Sequence, residues 1–402
     1  MGGPYPREAA ANGKIVATIG QVLAPPEEPI MRPRTTMIRL AVGAIVAISA
    51  TTAFAQRGGR GGGAPVELDA ERLVPAEQTI DPNYKSPMTS WGVPDIAGHW
   101  STDDMRGVSA QRDEKYGTEE SLDEEDFRAR AESQQRGRDS AVETETFLRN
   151  EWGTRTFGFN SLVVDPPNGR QPGTTPASRE IAAKYNSNGS TFGSGPFQTF
   201  NDFSLYDRCI ARGMNNGTGA AIYGNGIIIA QSPDTVSITY EMVHESRVIP
   251  LDNRAHLPSE LKHFTGNSRG YWDGDTLVIE TTDFDPRIRV GSVNPSDQMK
   301  TVERIRRVDD EMIEYRITYN DPVTLEAPYT MRVMWTTQPN YYVWEYSCHE
   351  GNGAVGHSLS GERAWEREVA EAIAAGKPPP GRDGNVYGAP DADAEIIDIN
   401  AE

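Results

Sequence analysis

Residues 301–336 read TVERIRRVDDEMIEYRITYNDPVTLEAPYTMRVMWT. β-Branched and aromatic residues alternate with polar ones over Thr301–Val308, Met312–Asn320 and Tyr329–Thr337. The acidic turn Asp309-Asp310-Glu311 joins the first two runs, so they read as an antiparallel hairpin. Side chains on a strand alternate in direction, which puts Val302, Arg304, Arg306 and Val308 on one face. Met312, Glu314, Arg316 and Thr318 share a face of the next strand, opposite Ile313, Tyr315, Ile317 and Tyr319. Neither face is uniformly apolar. With Arg304 and Glu314 turned inward, the interior holds charge pairs; with both turned outward, it is an ordinary core.

The same signature extends in both directions. Tyr341–Cys348 continues it after Gln338-Pro339-Asn340. Upstream, Ile227–Ile229, Thr235–His244, Arg247–Leu251, Gly270–Trp272 and Thr276–Thr282 read as strands, with tight-hairpin chemistry at Asp273-Gly274-Asp275. Ile96–Trp100 and Ser161–Val164 add two short pieces. So many sequential strands must hide their edges, and closure into a barrel does so most simply. Residues 103–155 differ in kind: they are dense in Glu, Asp and Arg, and predict surface helices with Thr118 as an N-cap. Ser178–Tyr185 and Gly361–Ala375 also read as helices, and 186–196 as a loop.

The expected architecture is therefore mainly β. It is an antiparallel β-barrel with a helical charged insert and long irregular N- and C-terminal segments. The expected divisions are a leader with signal peptide (1–55), a flexible leader and surface wrap (56–90), the barrel (91–366, insert 103–200), and a helix end with a disordered tail (367–402).

Charge and composition narrow the function classes. The chain carries 58 Asp and Glu against 39 Lys and Arg, a net charge of −19. A protein that coats nucleic acid or anionic lipid needs a basic face, so neither partner is expected. No Gly-x-x-x-x-Gly-Lys-Ser/Thr phosphate loop occurs, and two cysteines are too few for a four-thiolate metal site. No compact histidine pair occurs either. The expectation is a chain without cofactor or metal that meets a small-molecule ligand or substrate.

Arg32, Arg34 and Arg39 precede the apolar run Leu40–Ala50, and Ala53-Phe54-Ala55 fits a small-x-small cleavage site. This predicts a signal peptide cut after Ala55, and a periplasmic or secreted product. The run falls short of the roughly 20 residues that a membrane span needs. Residues 1–30 stand upstream of a complete basic region, which predicts a start at Met31 or Met37. In an oxidising compartment, Cys209 and Cys348 are expected to pair.

Candidate chemistry gathers at a few positions. His244 stands at the end of its alternating run, where a barrel mouth would place a general base. Its alternative is a hydrogen-bonded structural histidine. Arg247, Arg254 and His256 can orient an anionic or phenolic ligand; the alternative is a salt-bridged loop around Asp252. Arg269 precedes Tyr271 and Trp272, where a guanidinium binds a carboxylate, stacks on a ring, or caps the barrel end. His349 and Glu350 follow Cys348, so a disulfide would hold them still as a second proton carrier; the alternative is a structural turn.

SLVVDPPNGR (161–170), HESRVIPLDNRAHLP (244–258), GNSRGYWDGDTLVIETTDF (266–284) and YSCHEGN (346–352) resemble a large, mostly uncharacterised family of exported bacterial proteins. The resemblance spans residues 159–366 and implies no settled reaction. Gly98-His99-Trp100 and the later meander are similar to lipocalin and related calycin barrels, which implies a ligand-holding mouth. Seven Trp and fifteen Tyr supply ring-binding surface. The leading expectation is a cofactor-independent acid–base enzyme, a lyase before an isomerase or hydrolase, acting on an aromatic or apolar molecule. In it His244 moves the proton, Arg247 or Arg269 stabilises negative charge, and His349 or Glu350 is the partner. The alternatives are a carrier of an apolar ligand and an envelope structural protein.

Overall fold

A computed structural model describes residues 66, 68–144, 151–185, 196–221, 223–339 and 341–381. The signal peptide, the leader to residue 65, most of the loop 186–196 and the tail from 382 lie outside the described residues. The chain divides into residues 1–63 and 64–402, and every described residue belongs to the second unit.

Twelve strands and three α-helices are described. The strands are β1 Leu73–Val74, β2 Gly98–Ser101, β3 Thr156–Phe157, β4 Val163–Asp165, β5 Gly226–Gln231 and β6 Thr235–Tyr240. After these come β7 Ser246–Pro250, β8 Asn267–Asp273, β9 Thr276–Thr282, β10 Lys300–Asp309, β11 Met312–Asn320 and β12 Tyr329–Thr336. The helices are α1 Glu124–Glu143, α2 Pro176–Tyr185 and α3 Ala354–Ala374. Ten strands form one antiparallel sheet in the order β7-β6-β5-β2-β12-β11-β10-β9-β8, with β4 also paired to β12. The β8–β9 turn uses Gly274 at φ 61, the left-handed conformation that glycine adopts without penalty.

The alternation read from the sequence sets the buried face. Val236, Ile238 and Tyr240 of β6 point inward with Ile279, Ile305, Ile317, Val333 and Trp335. Tyr315 stacks on Trp335 at 4.4 Å. Arg304 and Glu314 both turn outward: Arg304 meets Asp273 at 2.9 Å, and Glu314 meets Arg316 at 2.8 Å. The interior is charged all the same, through the residues of opposite parity. Arg247 on β7 grips Glu303 on β10 with two bonds of 2.7 and 2.6 Å, both residues being buried. Arg247 also donates to Ser268 on β8 and Thr281 on β9, and the Tyr315 hydroxyl donates to Glu303 at 3.0 Å.

Since β7 and β8 are the two ends of the sheet, this cluster brings its edges together. Gly270 of β8 lies so close to Ile249 and Leu251 that an added Cβ would stand 2.8 and 2.7 Å from their methyl carbons. The meeting is made by side chains; no ladder pairing joins β7 to β8 among the described residues.

Several expected boundaries shift. β6 stops at Tyr240, four residues before His244, and Tyr341–Cys348 is irregular rather than a strand. The cause in both places is the buried Glu241 carboxylate, which accepts from the Gly226 and Trp344 amides and from the Tyr341 hydroxyl. These bonds compete with a ladder. The N-cap of α1 is Asp123, not Thr118; its carboxylate accepts from the Asp126 amide at 2.8 Å. α3 begins at Ala354, ahead of Gly361. The segment 103–200 supplies β4 to the sheet and the buried Arg112, which donates to Asn160 at 2.9 Å.

Removing one partner of a buried ion pair leaves an uncompensated charge. Glu303→Gln and Arg247→Ala should therefore each cost about 3–5 kcal/mol in urea unfolding. The double replacement Arg247→Met with Glu303→Leu should recover most of that loss.

Candidate functional site

The nine residues singled out in the sequence fall into three places. Arg247 is sealed inside the sheet. Burial works against its charge, and Glu303 more than offsets that, so the guanidinium stays protonated and faces no ligand.

A second group lies on the loop before β8 and on β8 itself. Arg269 spends its donors on the carbonyls of Arg254, Ala255 and Ser268 at 2.6–3.1 Å. It clamps the loop, which is the capping alternative. Arg254 is exposed and folds onto Asp252 at 2.8 and 2.9 Å. That contact holds the Asp252 carboxyl down at about 2. His256 Nδ1 meets Asn267 at 3.0 Å. Tyr271 is 45% exposed, while Trp272 packs against the core.

The third group assembles around the disulfide. Cys209 and Cys348, 139 residues apart, are bonded with their Cα atoms 5.7 Å from one another. Cys348 lines a cleft of about 480 Å³ together with Tyr206, Tyr223, Tyr346 and Glu350. The Tyr206 and Tyr346 hydroxyls are 3.2 Å apart, and Tyr223 stacks on Tyr346 at 6.1 Å. His244 packs edge-on against Tyr346 at 6.4 Å. His349 and Glu350 are exposed in the turn after the disulfide. The structure thus places His244 against Tyr346 and Glu350 on the cleft that Tyr346 lines, with Arg247 and Arg269 elsewhere.

His244 reaches this position because the chain leaves β6 through a left-handed turn. Val243 and His244 have φ of 66 and 51, a conformation that costs a non-glycine residue of order 1–3 kcal/mol. Two carboxylates over-determine it. Glu241 holds the near side through Gly226, Tyr341 and Trp344. Glu245 accepts from the amides of Arg212 and Gly213 and from Asn216, at 3.1, 2.8 and 2.9 Å. His244, between them, is turned out to solvent. Across the cleft, Asn352 donates to the Asp207 carbonyl at 2.9 Å, which adds a second tie beside the disulfide.

The tyrosines are the part that sequence reasoning missed. Tyr206 stands three residues before Cys209 and Tyr346 two before Cys348. The predicted disulfide was therefore a signal that could have brought them together. Burial raises the Tyr206 hydroxyl above its usual pKa, and burial with bonding to Tyr206 and Tyr223 raises Tyr346 well above it. Both remain neutral hydrogen-bonding groups near pH 7. Among the described residues no group of three His, Cys, Asp or Glu side chains is placed to hold a metal ion.

A buried acid cluster supports the segment that carries Tyr346. Asp103, Glu151 and Glu241 are at most 7% exposed, and the Tyr341 hydroxyl donates to both glutamates. Burial, then the neighbouring Glu151 charge, pushes Asp103 up to about 8, and burial also raises Glu151 and Glu241.

No family model and no curated protein matches the chain. Among solved structures, a crystal structure of a point mutant of the fluorescent protein UnaG is similar at 13% identity. The similarity covers 33% of this chain and 84% of that one, with a TM-score of 0.18.

An acid whose folded pKa is raised stabilises the fold fully below its unfolded pKa and loses that contribution as pH rises through the folded value. The stability of the wild-type protein should therefore fall between pH 5 and pH 8. Asp103→Asn should flatten the slope by at least about 1 kcal/mol, one pKa unit's equivalent. Thermal melts across that pH range measure it.

Proposed function

We propose that this chain is an exported, calycin-like barrel that holds a small aromatic or apolar molecule in the tyrosine cleft. The observation that carries the reading is the cleft itself. Three tyrosines present ring faces and neutral hydroxyls on backbone tied by Cys209–Cys348. Such a mixture of apolar walls and a few fixed polar groups suits a small organic ligand. The edges of the sheet, drawn together by Arg247, favour a barrel. The disulfide favours an oxidising compartment and, with it, the signal peptide. The resemblance to the exported family belongs to the same proposal. Its motif stretches supply Arg247, the Glu245 clamp, the Arg269 clamp and the Cys348 wall.

Binding without turnover is the first reading because the expected set of charge stabilisers does not assemble: Arg247 and Arg269 are both spent on structural partners. The second reading, acid–base catalysis, is favoured by His244 beside Tyr346, a ring of the cleft that Glu350 also lines. There His244 moves a proton while a tyrosine hydroxyl donates to developing negative charge.

The test is native mass spectrometry of the purified protein with a panel of phenols, aromatic esters and terpenoids. Wild type should retain a member of the panel, and Tyr346→Ala should weaken retention about tenfold. Retention that His244→Ala leaves unchanged, without product, supports the carrier. Product formation lost in His244→Ala supports the enzyme. Failure to retain any member overturns both readings.

A further inference from the structure

Tyr206 is the wall between two hollows. On its other side lies a pocket of about 200 Å³ with an apolar floor that includes Phe203, Leu205 and Ile288. Four guanidinium side chains, Arg208, Arg212, Arg287 and Arg289, surround it. This is a concentration of positive charge on a chain whose net charge is −19.

The arginines differ in how their charge is met. Arg287 is held by Asp285 at 2.9 and 2.6 Å and lies over Phe264. Arg289 donates to the Ser292 carbonyl. Arg208 lies over the Phe200 ring at 5.1 Å and has no carboxylate partner among the described residues. Arg212 is half-buried and, among the described residues, reaches Met242 Sδ at 2.9 Å and Asn216 Oδ1 at 3.4 Å, with Tyr206 beneath it at 5.9 Å. Burial lowers its pKa. The charge of the adjacent Glu245 offsets part of that burial, but its Oε2 accepts from two backbone amides and from Asn216, and no bond from it to the guanidinium is made among the described residues. Nor can the stretch after Tyr185 supply an anion: residues 186–195 read NSNGSTFGSG and contain no acidic residue.

A half-buried guanidinium with no carboxylate bonded to it among the described residues, beside a second one, above an apolar floor, is arranged to receive a negative charge. We infer that this pocket binds the acid group of an organic anion, a carboxylate on a single-ring or short apolar body, through Arg208 and Arg212. The volume is below that of a drug-sized site, which sets the small body. The inference rests on the cleft reading for where the rest of a longer ligand lies. The cleft side carries Asp207, Glu345 and Glu350, so an anionic head is repelled there and drawn to the arginines across Tyr206.

Titration calorimetry on the full chain tests it with sodium benzoate, its neutral analogue benzamide, and inorganic phosphate. Benzoate should bind at least tenfold more tightly than benzamide. Arg208→Gln and Arg212→Gln should each weaken benzoate five- to tenfold and leave benzamide unchanged, with thermal melts confirming the fold. Arg208 is the safer variant, since its side chain stacks on a ring and supports no buried bond. Equal affinity for benzoate and benzamide, or indifference to both arginine variants, overturns the inference and leaves the cleft reading standing. Phosphate bound more tightly than benzoate overturns the assignment to an organic acid. Arginine-dependent benzoate binding in a protein whose Tyr346→Ala variant binds every cleft ligand normally supports the pocket and sinks the cleft. No binding of benzoate, cinnamate or hexanoate overturns it outright.

Discussion

The Arg247–Glu303 pair is the contact on which the architecture turns. A nine-strand path with β7 at one end and β8 at the other has two open edges, and each would expose a row of unpaired backbone groups. One guanidinium on β7 reaches a carboxylate on β10 and hydroxyls on β8 and β9, so a single side chain binds one end of the path to three strands at the other. Two charges in a dry interior are tolerable only when each satisfies the other, and here Tyr315 completes the Glu303 shell. The apolar residues around them would pack in many arrangements of the same strands. The ion pair admits few, which makes register its contribution more than net stability.

The same economy of partners explains the loops. Glu241, Glu245 and Asp104 are acidic residues that end or redirect strands by collecting amide and hydroxyl donors. Asp104 accepts from the amides of Thr154 and Arg155 and from the Thr336 hydroxyl, which fastens the segment after α1 to the end of β12. Much of the chain's acidity is therefore not a solvated coat. Part of it lies inside as a set of acceptors for backbone that leaves the sheet, and it depends on staying within reach of those donors.

The strands were legible because period-two alternation over eight or more residues has few other readings, and β10, β11 and β12 fall close to the runs seen in the sequence. The disulfide was legible from the expected compartment and the even number of cysteines. What was not legible was parity at the interior: Arg304 and Glu314 drew attention as the polar members of their faces, whereas Glu303 sits among residues whose inward direction only the register reveals. His244 looked like the end of a strand because Val236, Ile238, Tyr240 and Met242 alternate without a break. The turn that overrides this alternation is held by Gly226, Arg212 and Gly213, which are neighbours in space and remote in sequence. The tyrosine cleft was hidden for the same reason. Its three rings come from segments that have no common pattern until a covalent bond joins two of them.

Eight strands, β5 to β12, lie between Cys209 and Cys348 in the chain. The wall of the cleft is thus closed by residues at either end of the stretch that builds most of the sheet. An error of pairing anywhere in between moves one cysteine away from the other and takes Tyr206 away from Tyr346. The cleft cannot exist in a half-assembled molecule. Were the proposed ligand to occupy it, occupancy would certify completed assembly, and by mass action it would reward only those chains that have brought every intervening strand into place.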